Sequence, residues 1–288
     1  MPFAESNSLS LHYELHGSPS NPLVLLISGL GTQKVAWPKE WIEALVSKDL
    51  HVLTFDNRDV GLSTHLDHLG VPDAAGVFTG ETAPPYLISD MAADAAGLLE
   101  ALSFSGAHVV GVSMGGMIAQ QFAIDHPTKT LSLTSIMSTP APMEVGEPSP
   151  EALELLFRPR PSDYESYLAD EYLSWDLLAG PVYKVPKERV EQLSQLSWPN
   201  RNPAGATRQL AAIGLSPDRR PGLRTVQVPS LVLHGEVDPL VNISGGEATA
   251  AALPNATFIR YEHMGHALHD EYIEDHATRI AQLVKSVS

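Results

Sequence analysis

Six short stretches of this 288-residue sequence are apolar at nearly every position. They are 23–28 (LVLLIS), 51–55 (HVLTF), 108–112 (HVVGV), 131–137 (LSLTSIM), 231–234 (LVLH) and 257–261 (TFIRY). A strand with one wet face alternates apolar and polar residues, whereas a strand covered on both faces does not. The runs therefore point to a parallel sheet held between helices, and helical patterns do fall between them. Residues 89–102 carry Met91, Ala95, Leu98, Leu99 and Leu102 at helical spacing, residues 114–125 follow the third run, and a last helix is expected from about 268 to 287. Strand, helix, strand in this order argues a doubly wound, mostly parallel α/β sheet. Residues 9–15 (LSLHYEL) alternate and are expected to lead in as an antiparallel edge strand.

One segment breaks the rhythm. Residues 139–228 show no convincing strand; they open with a proline-rich linker at 140–150 and continue with helical patterns at 151–157, 162–179, 186–198 and 204–215. A loop at 216–221 returns the chain to the sheet. The expectation is a helical lid, 139–228, inserted into a core made of 1–138 and 229–288.

The chemistry concentrates at three of the strand ends. Gly111-Val112-Ser113-Met114-Gly115-Gly116 follows a buried strand and precedes a helix, the context a nucleophilic serine in a strained turn requires. Glycines two before and two after leave room for the backbone, and the serine sits at a helix N-terminus where free N–H groups favour an anion. A serine hydroxyl at neutral pH needs a base. In the order Ser, acid, His, the acid should follow a late strand: Asp238 lies just beyond LVLH, with Glu236 read as a solvated loop residue. The base should follow the next strand, where His263, His266 and His269 stand three apart. A short loop rarely points three such rings at one centre, so no metal site is expected. His266, preceded by Gly265, is the candidate base; His263 is expected at the strand end and His269 already in the helix. An imidazole can take the serine proton and return it to a leaving group, and a carboxylate on its other nitrogen fixes the tautomer. Two backbone donors should face the developing oxyanion: Met114 N–H, and Leu30 N–H from the Ser28-Gly29-Leu30-Gly31-Thr32 loop.

The bulk numbers exclude other classes. There is no cysteine, which rules out disulfides, thiolate nucleophiles and Cys-ligated zinc. A formal charge of -16 repels polyanions, so nucleic acid is not expected as a partner, and no basic run offers a membrane contact. No apolar stretch is long enough to span a bilayer. Residues 1–10 have neither a basic nor an apolar signal-peptide region, so the cytoplasm is the expected location. The oligomeric state is not legible.

These motifs resemble the α/β-hydrolase superfamily over nearly the whole chain: Gly29-Leu30-Gly31, the segment from Phe55 to Ser63 (FDNRDVGLS), the GVSMGG turn, HGEVDPL and HMGH. In detail the chain is similar to bacterial esterases related to aclacinomycin methylesterase, through D-x-R-D-x-G-x-S at 56–63, Trp37 soon after the oxyanion loop, and Met264-Gly265-His266. The resemblance implies a cofactor-free hydrolase of carboxylic esters with Ser113, Asp238 and His266 as its triad, the lid shaping a pocket for a small-molecule ester. The chain departs from many superfamily members in having Ser28-Gly29 where they have His-Gly. Asp59 stands where the wider superfamily has glycine, although the closer esterases share it. Arg58 and Asp59 are expected to form a structural ion pair. Trp37, Phe157, Trp175 and Leu178 are the expected substrate contacts, and the absence of an Arg or Lys cluster in the lid favours neutral, partly apolar esters. The same triad also serves C–C bond, lactone or amide hydrolysis and perhydrolysis, and a hydrolase fold can serve as a ligand receptor.

Overall fold

The structure, a computed structural model, describes residues 2–287 apart from 74, 75, 78, 142 and 143. Two short N-terminal strands, β1 (Phe3–Ser6) and β2 (Leu9–His16), form a hairpin. There follow β3 (Leu23–Ile27), α1 (Lys39–Val46), β4 (His51–Phe55), α2 (Ile88–Ala101), β5 (Ala107–Val112), α3 (Met114–Asp125) and β6 (Thr130–Ile136). Beyond β6 come α4 (Pro150–Phe157), α5 (Tyr164–Leu178), α6 (Lys187–Ser197), α7 (Pro203–Gly214) and the single turn α8 (Arg220–Leu223). The chain closes with β7 (Ser230–Gly235), α9 (Ser244–Ala252), β8 (Ala256–Tyr261) and α10 (Ile273–Lys285).

The eight strands make one sheet in the order β1-β2-β4-β3-β5-β6-β7-β8. All neighbours from β4 to β8 are parallel, and only β1 with β2 and β2 with β4 run antiparallel. Residues 9–15 are thus antiparallel as expected but not at the edge, because β1 adds a strand outside them. At four residues, β1 is too short for its alternation to stand out in the sequence.

Successive residues of β3 show why the central runs do not alternate. Leu25 and Ile27 join a core with Met91, Leu98, Met117 and Phe122 of α2 and α3. Val24 and Leu26 join the opposite core with Trp41 and Leu45 of α1 and Ile280 and Val284 of α10. Both faces of the strand are dry, and each such leucine contributes about 1.5–3 kcal/mol by burial.

Between β6 and β7 no strand occurs among the described residues. Three of the helices between β6 and β7 begin at side chains that cap their own N-termini: Ser149 accepts from Ala152 N–H, Asp163 from Ser166 N–H and Asn202 from Gly205 N–H. Pro150 and Pro203 occupy the first helical positions, where a missing N–H costs nothing. Pro142 and Met143 of the expected linker lie outside the described residues. The last helix starts at Ile273 rather than near 268; a 3-10 turn at Asp270–Tyr272 precedes it, so His269 is not helical. Among the described residues no helix is long and apolar enough to cross a membrane.

Candidate active site

Parallel strands deliver their carboxyl ends to one edge of the sheet, and the loops there can share a site. β5 ends in the turn that carries Ser113, whose backbone is forced to φ 56°. The flanking glycines are a steric necessity: a Cβ on Gly111 would stand 2.0 Å from Gly115 O, and one on Gly115 would stand 2.0 Å from Ile27 O. The loop after β7 brings Asp238 and the loop after β8 brings His266, both buried. His266 Nε2 lies 2.9 Å from Ser113 Oγ, and its Nδ1 lies 2.8 Å from Asp238 Oδ2. The other carboxylate oxygen of Asp238 accepts the N–H groups of Leu240 and Val241 at 2.9 and 2.8 Å, which fixes the carboxylate plane. Glu236, the neighbouring carboxylate, points to solvent.

The three histidines do not converge. His266 faces Ser113, while His263 and His269 both pack against the ring of Tyr183. The His266 loop is held from the insert: its backbone N–H donates to Leu178 O at 2.6 Å. Gly265 allows this approach, since a Cβ there would meet Leu178 O at 2.4 Å.

The expected oxyanion donors sit on either side of the serine. Met114 is the first residue of α3, so its N–H has no partner within the helix. Gly29 lies against Ser113, with 3.3 Å between the position of its missing Cβ and Ser113 Cβ, and this brings Leu30 to the cavity wall. Among the described residues no backbone acceptor is recorded for the Leu30 N–H. The loop itself is braced by groups that the sequence did not single out. Gly31 N–H donates to Gln209 Oε1 at 2.8 Å, and Gln209 Nε2 donates to Arg58 O at 2.7 Å. Asn57 Nδ2 donates to Ser28 O at 3.1 Å. Ser28 thus contributes its backbone, while its own hydroxyl is buried without a partner among the described residues. Gln209 sits in α7, 178 residues from Gly31, and nothing in its local sequence marks it.

The 56–63 segment underlies this loop. Asp56 accepts from the backbone N–H of Lys34 and of Leu62. Arg58 and Asp59 are each ion-paired but not to one another. Arg58 forks onto Asp94 at 2.6 and 2.8 Å, and Asp59 receives Arg208 of α7 at 2.7 and 2.9 Å. Adjacent residues in this turn point apart, so the pair expected between them does not form. Asp59 is fully buried. Burial alone would raise its carboxyl, but Arg208, the Leu66 N–H and the Tyr86 hydroxyl outweigh it and hold it below the usual range.

A cavity of about 340 Å³ opens over Ser113. Trp37, Trp175 and Leu178, three of the expected substrate contacts, lie in its wall, and so does Leu30, the expected oxyanion donor. Phe157 does not; it is an exposed side chain, and Leu155 and Leu156 face the cavity from α4 in its place. Neighbouring helix positions differ by about 100° in direction, and the apolar run 155–157 does not reveal which of them points inward. The insert does bring arginines together: Arg160, Arg189 and Arg201 all reach the cavity. They come from three separate elements, so their proximity is invisible along the chain.

A serine on a strand-to-helix elbow, hydrogen-bonded to a histidine that meets an aspartate, both on loops after later strands of the same parallel sheet, is the arrangement of the α/β class of hydrolases. The chain belongs to the α/β-hydrolase fold family, whose sequence profile matches residues 22–272. It is 27% identical over 284 residues to a rhodomycin D methylesterase of Streptomyces peucetius, covering 91% of each chain. It is 29% identical over 260 residues to a putative carbamate hydrolase of Caulobacter vibrioides, covering 89% of this chain and 88% of that one. Among solved structures, a meta-cleavage product hydrolase from Pseudomonas fluorescens IP01 superposes with a TM-score of 0.79 at 17% identity, covering 100% of this chain and 98% of the other.

Proposed function

We propose that this chain is a serine-dependent hydrolase of carboxylic esters, a carboxylesterase or methylesterase working through an acyl-enzyme on Ser113. The observation that carries the reading is the unbroken hydrogen-bonded line Ser113 Oγ, His266 Nε2, His266 Nδ1, Asp238 Oδ2, with 2.9 and 2.8 Å at its two links. His266 takes the Ser113 proton at Nε2 while Oγ attacks the ester carbonyl carbon. Asp238 keeps the Nδ1 proton in place and stabilises the imidazolium. The carbonyl oxygen, now an oxyanion, receives the N–H groups of Leu30 and Met114. His266 then passes its proton to the leaving alcohol oxygen. A water, deprotonated by the same nitrogen, attacks the acyl carbon, releases the acid and returns the proton to Ser113.

Residues 139–228 act in this reading as a cap over a core formed by 1–138 and 229–288, and the apolar part of the cavity, with Trp37, Trp175 and Leu178, receives the ester's hydrocarbon. The ester-cleaving activity named for the Streptomyces relative supports the choice of substrate class. No cofactor is needed for any step.

The test is turnover of 4-nitrophenyl esters with a pre-steady-state burst, and its loss in Ser113→Ala and Asp238→Asn. The asparagine leaves the imidazole in the wrong tautomer and should lower kcat by roughly 10⁴. If Ser113→Ala keeps the wild-type rate, the mechanism is wrong. Stoichiometric labelling by a serine-reactive phosphonate without repeated ester turnover would favour a ligand receptor instead.

A further inference from the structure

The wall of the cavity contributed by the insert is charged. It carries Arg160, Arg189 and Arg201 together with Asp170 and Glu171. Two of the five are matched elsewhere: Arg189 pairs with Asp270, and Asp170 with Arg158 at 2.8 Å. Arg160 and Arg201 remain against the single carboxyl of Glu171, which takes the indole N–H of Trp175 at 3.2 Å. Among the described residues neither guanidinium has a carboxylate in ion-pairing distance or a side-chain hydrogen bond.

Arg201 lies 4.0 Å from the centroid of the Trp198 ring and 5.5 Å from that of Tyr167. Stacking of this kind fixes the plane of the group and leaves its N–H edge open. Arg160 stands near the same Tyr167. Glu171 is pushed up, by burial and by Asp170. A guanidinium at a cavity wall with no carboxylate partner is free to take an anionic ligand. Two such groups facing one cavity run against the negative field of a chain with formal charge -16. The planar donor fork of arginine fits a carboxylate at two points.

We propose that this wall is a carboxylate subsite, so that the substrate is an ester bearing a second, free carboxylate that rests against Arg160 and Arg201 while the ester carbonyl lies at Ser113. The proposal rests on the ester-hydrolase reading and narrows it. It also replaces the neutral substrate suggested by the sequence, where the arginines stand 41 residues apart.

Two esters of equal acyl length separate the cases: 4-nitrophenyl hexanoate and mono-4-nitrophenyl adipate, the second ending in a carboxylate. The wild-type protein should show a kcat/KM at least tenfold higher for the adipate ester, carried by KM and shrinking as salt is raised. The ratio between the two esters should fall roughly tenfold in the Arg160→Gln/Arg201→Gln double variant; Arg160→Gln alone serves if the double variant does not fold. An equal or reversed preference in the wild type overturns the subsite while hexanoate cleavage leaves the ester reading standing. If neither ester is cleaved, it is the ester reading that fails, and the subsite is read without turnover from calorimetric binding of adipate to Ser113→Ala. Binding at least tenfold weaker after adding the arginine substitutions supports the subsite; no binding, or unchanged binding, overturns it.

Discussion

Replacing Arg208 by leucine would remove the partner of a carboxylate that has no route to water. Arg208 and Asp59 are both fully buried in their side chains. The guanidinium spends Nε and Nη2 on Asp59, Nη1 on Gly70 O at 2.7 Å and Nη2 also on Asp67 at 2.8 Å. In Arg208→Leu, Asp59 keeps only the Tyr86 hydroxyl at 2.8 Å and the Leu66 N–H at 2.7 Å. Breaking a buried pair from one side typically costs about 3–5 kcal/mol, because an uncompensated charge is left behind. That is a large share of the roughly 5–15 kcal/mol that holds a domain folded. With a urea slope near ~3 kcal/mol per M, the midpoint should drop by about 1 M or more. The double variant Asp59→Leu/Arg208→Leu leaves no buried charge and should lose about 2 kcal/mol less than the sum of the singles. Asp59 is held below its unfolded value, so its contribution is complete above about pH 4 and fades as pH falls through the folded value. The Arg208→Leu deficit should therefore narrow in acid. Urea titrations of the four proteins at pH 7 read the cycle; singles costing under about 1 kcal/mol, or adding without coupling, would refute the reasoning.

Gln209→Leu removes two of the three hydrogen bonds that brace the Ser28–Thr32 loop, and kcat on an aryl ester should fall on the order of tenfold or more while circular dichroism shows a folded protein. An unchanged kcat would mean that the loop holds its shape without α7. His108 and His276 are buried, and desolvation pushes both from 6.5 down to about 4. Between those values the unfolded chain binds more protons than the folded one, so stability drops as pH falls from about 6.5 toward 4. His276→Leu should recover about 2 kcal/mol relative to wild type at pH 5 compared with pH 8, measured by urea midpoints; an equal offset at both pH values would contradict this.

What the sequence disclosed and what it hid divide by whether an interaction leaves a mark along the chain. The unbroken apolar run of β3 and the glycines around Ser113 leave such marks, although the groups that require them, Ile280 and Val284 against β3 and Ile27 O against Gly115, lie far away in sequence. Asp238 and His266 are distant from Ser113 along the chain, but each could be located from the strand that precedes it. The bracing of Gly31 by Gln209, the pairing of Asp59 with Arg208 and the gathering of Arg160 with Arg201 have no such marker. They depend on how the insert folds back over the sheet. β1 escaped notice for a different reason: four residues supply too few alternations, and half of its faces are exposed.

Two of the contacts that fasten the segment between β6 and β7 to the sheet lie beside Ser113 and His266. One fastening is α7, through Arg208 and Gln209. The other is the end of α5, whose Leu178 carbonyl grips the backbone of the imidazole loop. A hinged flap that lifted the whole segment would therefore part the loop of Leu30 and the loop of His266 from their supports in the same movement. A motion that spares both contacts has to leave α7 and the end of α5 in place.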